Sequence, residues 1–119
     1  MESEHKIVDK VKISLYIKKL KEYGYDNIEA TEHTFFRLSQ KQRKIYTENV
    51  LKDIIWNNEI FEVGIQSNGN YSIIYRCKFS DKNRKGKIIL DFSTNKVYIV
   101  TFYILSEVQE KLVENGKKS

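Results

Sequence analysis

The 119-residue chain has no proline, and its five glycines never cluster with serine into a linker-like run, so nothing in it marks a boundary between domains. A single cysteine, Cys77, excludes an intramolecular disulfide and makes a reducing cytoplasm the default expectation. No apolar run approaches the roughly 20 residues that span a bilayer, because the longest candidate, Val97 to Leu105, is interrupted by Thr101. The opening Met-Glu-Ser-Glu-His-Lys is too polar for a signal peptide, which leaves open only export by a route without a cleaved signal. His5 and His33 are far apart, Cys77 has no partner at ligand spacing, and no glycine-rich loop opens a helix after a strand. Neither a metal nor a cofactor is therefore expected. Glu48 and Asp53 read as helix surface and Asp91 as the solvent side of a strand, which leaves no carboxylate pair for acid/base work.

What is present is one domain's worth of apolar residues, enough for a real core, and a formal charge of +5. The charge is local. Residues 1–24 carry six lysines against four acids, residues 80–105 carry five basic against two acidic residues, and the other segments cancel. The densest group, Lys82, Arg84, Lys85 and Lys87, sits among Asp81, Asn83 and Gly86 and reads as an exposed loop between two strands. Such a loop attracts phosphates, but lysine-rich loops are also ordinary solvated surface.

From Ile7 to Tyr23 a strand-like alternation (Val11, Ile13, Leu15, Ile17) competes with helical spacing. The helix accounts for more, since Ile13, Tyr16, Ile17, Leu20 and Tyr23 recur at steps of three and four and Gly24 stands where a helix stops. Its lysines could meet nucleic acid, an anionic membrane or a partner, or simply face solvent from a helix docked on a sheet. After Trp56 the period becomes two: Phe61, Val63 and Ile65, then Asn68-Gly69 as a two-residue turn, then Tyr71, Ile73, Tyr75, Cys77 and Phe79. A second hairpin pairs Lys87–Phe92 with Lys96–Leu105 around Ser93-Thr94-Asn95. The last strand is apolar on both faces, which places it centrally. Ser106 caps a final helix bearing Val108, Leu112 and Val113 that ends near Asn115-Gly116. The expected fold is α+β: a four- to five-stranded antiparallel sheet with two short helices on one face and helices at both termini.

The chemistry concentrates between Glu29 and Trp56. Asn27 to Ala30 reads as a short strand, Thr31 as the cap of a helix carrying His33 and Arg37, and Thr47 as the cap of a helix with Val50, Leu51, Ile54 and Ile55 on one stripe. The two helices meet near Arg43 to Tyr46. Four residues apart on a helix, His33 and Arg37 project from one face, so a proton carrier stands beside a permanent cation, a pairing suited to a phosphodiester. A solvated helix face would show the same spacing. Tyr71, Tyr75 and Tyr103 suit stacking on bases and equally suit a sheet core, and Arg76 is a further mid-strand cation.

Taken together, a short strand, Thr-x-His-x-x-x-Arg (Thr31, His33, Arg37), Ile-x-Thr-x-x-Val-x-x-x-Ile-Ile (Ile45 to Ile54 and Ile55, with Thr47) and a hairpin-rich sheet ending in Val-Thr-Phe-Tyr (Val100 to Tyr103) resemble the small domains grouped with the barnase, EndoU, colicin and RelE superfamily of ribonucleases and toxins. The resemblance covers residues 27–105, between an N-terminal helix in residues 1–24 and a C-terminal helix and tail in residues 106–119. It implies a metal-independent ribonuclease fold with His33 and Arg37 at the site and Thr101 and Tyr103 contributed by the last strand. With a two-residue insertion, a further basic residue of the family falls at Arg43.

The expected function is a toxin-type endoribonuclease acting without a cofactor. His33 would transfer the proton, Arg37 bind the phosphate, and Tyr103 and Thr101 assist. The partners would be RNA and a dedicated inhibitor, an antitoxin or immunity protein. The nucleic-acid-binding candidates are Lys82, Arg84, Lys85, Lys87 and Arg43. The alternatives are a non-catalytic module of the same fold that binds nucleic acid through the 82–87 loop and the N-terminal helix, and a phage or mobile-element interaction protein whose site has decayed.

Overall fold

The alternating stretches after Trp56 form the backbone of a computed structural model that describes residues 6–118. In chain order the elements are β1 (Ile7–Lys10), α1 (Ile13–Tyr23), a 3-10 turn (Tyr25–Asn27), β2 (Ile28–Ala30), α2 (Gln40–Ile45), α3 (Glu48–Asn57), β3 (Ile60–Gln66), β4 (Tyr71–Phe79), β5 (Lys82–Phe92), β6 (Val97–Ile104) and α4 (Glu107–Lys118). His5 lies outside the described residues.

Strands β3 to β6 make an antiparallel meander, as their periodicity requires. Gly69 adopts φ +90 in the first hairpin. The loop holds three residues rather than the expected two: the Gly69 N–H donates to the Gln66 carbonyl and the Gln66 N–H to that of Asn70, each at 2.8 Å, around Ser67-Asn68-Gly69. The next hairpin overturns the loop expected at residues 82–87. Ser80 and Asp81 both have positive φ, 53° and 61°, and so form the tight two-residue turn, with Phe79 opposite Lys82. Lys82, Arg84, Lys85 and Lys87 are therefore strand residues.

The sheet is also larger than expected, six strands in the order β1-β3-β4-β5-β6-β2, and it is mixed. Residues Ile7–Lys10, read as the start of a helix, form an exposed edge strand antiparallel to β3, and α1 begins only at Ile13. At the other edge β2 runs parallel to β6, with Lys96 paired to Glu29 at 2.7 Å. Strand β6 is thus flanked on both sides, and its two faces are apolar because Val97, Ile99 and Phe102 enter the large core while Tyr103 joins a smaller cluster on the opposite face.

Helix ends follow their local chemistry. Gly24 at φ +91 closes α1 by donating to the Leu20 carbonyl, Thr47 caps α3 through the Val50 N–H, and Ser106 exchanges capping bonds with Gln109. Helix α4 runs to Lys118, past the expected stop at residues 115–116. The helix expected from Thr31 through Arg37 is absent. Residues 32–37 form successive tight turns, with N–H groups of Thr34, Phe36 and Leu38 bonded three residues back, and the helix starts only at Gln40 behind a Ser39/Gln42 capping box.

Helices α1 and α3 cover one face of the sheet. Tyr16, Leu20, Leu51, Ile55, Ile73, Tyr75 and Phe102 are buried there, with Tyr75 donating to the Ile55 carbonyl and sharing a 2.8 Å hydrogen bond with Tyr16. Because side chains alternate across the pleat, the other face holds a smaller cluster, Ile74, Tyr103 and Leu105, against which Phe61 and Val113 of α4 pack.

Candidate active site

The turn that replaces the expected helix is fastened to β6 by Thr34. Its side chain is fully buried; the hydroxyl donates to the Ile99 carbonyl at 2.5 Å and accepts from the Thr31 N–H at 2.7 Å, while its own carbonyl takes the Phe102 N–H at 3.2 Å. Thr31 adds a second hydroxyl bond to Ile99 at 3.1 Å. These side-chain-to-backbone bonds give the segment an alternative to the helical ladder, and that is the physical reason the helix does not form.

The turn leaves His33 and Arg37 exposed beside β6. The two do not share a helical face. Arg37 instead lies with its guanidinium carbon 3.6 Å from the centroid of the Tyr103 ring, while His33 meets the ring of Phe36 edge-on at 5.1 Å. Tyr103 is only 5% exposed, so its ring serves as a floor under the guanidinium. Phe36 is 71% exposed, an aromatic that neither the spacing nor the resemblance singled out. Thr101, half-buried, lies opposite Ile89 on the neighbouring strand.

Arg43 stands behind this turn rather than in front of it. Its Nε donates to the Leu38 carbonyl at 3.2 Å and Nη2 to that of Phe36 at 3.5 Å, so the guanidinium holds the turn's end in place. Next to it a groove of about 450 Å³ runs between Glu32, Phe35, Phe36, Tyr46 and Glu48. Glu48 accepts the Ala30 N–H there, and the Tyr46 hydroxyl donates to the Lys78 carbonyl.

The four cations of β5 have different surroundings, and they are not one solvated cluster. Arg84 pairs with Glu110 at 3.0 Å and donates to the Leu105 carbonyl at 2.7 Å. Lys85 gives its N–H to Glu110 and its ammonium to Glu114 at 3.1 Å. Lys82 is exposed, and half-buried Lys87 sits in the sheet row between Ile74 and Tyr103. Elsewhere Arg76 pairs with Glu59 at 3.0 Å, Tyr75 is core, and Cys77 is buried, its thiol pushed up to about 11 by loss of solvent.

Among the described residues no group of three His, Cys, Asp or Glu side chains is placed to hold a metal ion, and no helix is long and apolar enough to cross a membrane. Compared with protein-family models, with curated proteins and with solved structures, the chain gives no match. Thr34 and Phe36 are the residues the sequence reading passed over. The Thr31/Thr34 spacing was the available signal for a threonine-stabilised turn, whereas nothing local marks Phe36 as exposed.

Proposed function

We propose that this domain acts on RNA at the junction of the 32–37 turn and β6, as a metal-independent endoribonuclease of the toxin type. One observation carries the reading: a guanidinium stacked at 3.6 Å on the ring of Tyr103, in the same 32–37 segment as an exposed imidazole. Stacking on an aromatic face orients the plane of the Arg37 guanidinium, and a planar donor fork is the group suited to gripping a phosphate. In the reaction, neutral His33 removes the proton from a ribose 2′-hydroxyl, whose oxygen bonds to the adjacent phosphorus as the bond from phosphorus to the 5′-oxygen breaks. The leaving oxygen takes a proton from solvent, giving a cyclic phosphate and a 5′-hydroxyl. Arg37 holds the negative charge that builds on the phosphoryl oxygens. Tyr103 positions Arg37 from below, and the Thr101 hydroxyl is an auxiliary donor. The cognate inhibitor expected of a toxin would cover this same surface.

The pair Phe36 and His33 supports a second reading. A ring 71% exposed with an imidazole edge against it is a platform on which an unpaired base stacks, so the same surface would serve a non-catalytic single-strand binder. Purified protein incubated with RNA in EDTA separates the two. Cleavage is expected from the wild type, lowered on the order of 10²- to 10⁴-fold in His33→Ala, and lost also in Arg37→Lys, which keeps charge without the fork. Cleavage surviving both substitutions would remove the pair from the site, and binding without any cleavage would establish the second reading.

A further inference from the structure

We propose that the groove between the 32–37 turn and the start of α3 is a docking site for an arginine side chain presented by a protein partner. The proposal is independent of the reaction assigned to the neighbouring surface. The groove, about 450 Å³ in volume, draws Glu32, Phe35 and Phe36 from the turn, Arg43 and Tyr46 from the end of α2, and Glu48 from the first turn of α3. The Glu48 carboxylate is fixed there, because one of its oxygens accepts the Ala30 N–H at 2.8 Å, two residues before Glu32. Both glutamates are exposed. Among the described residues, no ammonium or guanidinium lies within ion-pair distance of either carboxylate. Arg43, the cation of the groove, turns Nε and Nη2 to the Leu38 and Phe36 carbonyls and so braces the turn. Two negative charges thus stand against one positive, on a chain whose net charge is +5.

Charge selects the class of occupant. Carboxylates repel phosphates and acidic side chains, so a cation is what complements this groove. The aromatic residues select which cation. Phe35 and Phe36 both line the groove, and Phe36 is 71% exposed, which leaves ring surface for a planar group to lie on. A guanidinium lays its face on an aromatic ring while its edge offers a carboxylate two parallel donors, and it sheds water more readily than an ammonium does. An ammonium is a compact, strongly hydrated point charge and gains neither the stacking nor the paired donors. Phe36 also argues for a protein as the source of the arginine. A phenylalanine ring left in water is the kind of residue that protein interfaces cover, and arginine is enriched with the aromatics in such interfaces.

The test uses isotopically labelled full-length protein and three capped tripeptides with alanine at both ends and arginine, lysine or citrulline between them. Citrulline keeps the shape of arginine and lacks its charge. The arginine peptide is expected to shift the Phe36 ring resonances and the side-chain carboxyl resonances of Glu32 and Glu48. The citrulline peptide should bind about fivefold more weakly or worse, the scale of a partly exposed charge pair, and the lysine peptide should fall between the two. Glu48→Gln keeps an acceptor for the Ala30 N–H and removes the charge, and Glu32→Gln removes the other. Each should weaken arginine-peptide binding about threefold, and the double variant about tenfold. Phe36→Ala should cost about two- to fivefold. Glu107→Gln, which changes an exposed carboxylate on α4, should leave binding unchanged. Unfolding in urea establishes that each variant is folded. Equal binding of the citrulline or lysine peptide, unchanged binding in the folded double variant, an equal loss in Glu107→Gln, or no shift at the three residues would each overturn the proposal. A 2′-O-methylated tetranucleotide is the rival probe, and tighter binding of it at Glu32 and Glu48 than of the arginine peptide would overturn the assignment to a protein.

Discussion

The buried hydroxyl of Thr34 decides whether the proposed site exists as a geometry, and Thr34→Val tests this directly. The substitution preserves branching and nearly preserves volume, so no cavity opens and the loss comes from hydrogen bonding. Three bonds disappear: the one given to the Ile99 carbonyl at 2.5 Å, the one accepted from the Thr31 N–H at 2.7 Å and the weaker one shared with the Thr31 hydroxyl at 3.2 Å. The Ile99 carbonyl retains the Thr31 hydroxyl at 3.1 Å, so its loss is partial. The Thr31 N–H has no such substitute on that side, and stranding a donor near the interior costs about 1–3 kcal/mol. The expected destabilisation is thus about 2 kcal/mol, read as a lower urea midpoint at unchanged slope. Thr31→Val removes only the redundant donor and should cost under about 1 kcal/mol. Because Thr34 fastens the turn bearing His33 and Arg37 to β6, RNA cleavage at temperatures where Thr34→Val remains folded should fall further than in Thr31→Val. A Thr34→Val protein within about 0.5 kcal/mol of wild type, the range of ordinary surface changes, would refute the argument.

Gly69→Val should destabilise the fold by about 1–2 kcal/mol, the cost of placing a β-branched residue at positive φ; since no atom lies within 4 Å of the added Cβ, a neutral result in urea unfolding would show that φ +90 is not enforced. Stability should also fall at alkaline pH. Burial raises the pKa values of Tyr16, Tyr46, Tyr75 and Cys77 in the folded state, Cys77 to about 11. The unfolded chain therefore releases these protons first, and the contribution, complete below the ordinary thiol and phenol values, drains away as pH climbs through the folded ones. Urea melts at about pH 8 and about pH 10.5, between the ordinary and raised tyrosine values, should differ in that direction; equal stabilities would contradict the burial of these groups.

Alternating apolar residues, the Asn-Gly turn and the caps at Gly24, Thr47 and Ser106 were legible because each is decided within a few residues, by the pleat, by positive φ or by a hydroxyl facing an N–H. The sheet meander and α3 result from them, and so does the helical core of α1. Other features depend on partners distant in sequence. Ile7–Lys10 continues the helical spacing of Val11 to Tyr23, yet β3 offers its N–H and C=O groups a ladder, and an edge strand results. The tight turn at Ser80-Asp81 was hidden because neither residue announces positive φ as glycine does; the long β4/β5 ladder holds them there, turning an apparent loop of charges into a strand. His33 and Arg37 were picked out for a helical face that does not exist. The Ile99 carbonyl, sixty-five residues beyond Thr34, captures the threonine hydroxyl and replaces the helix with turns. Sequence alone determined which residues carry suitable chemistry. Only the tertiary structure decided which of them meet, because a docked turn lays Arg37 on the Tyr103 ring and a strand ladder sets Lys87 opposite Tyr103, and neither leaves a periodic trace in the chain.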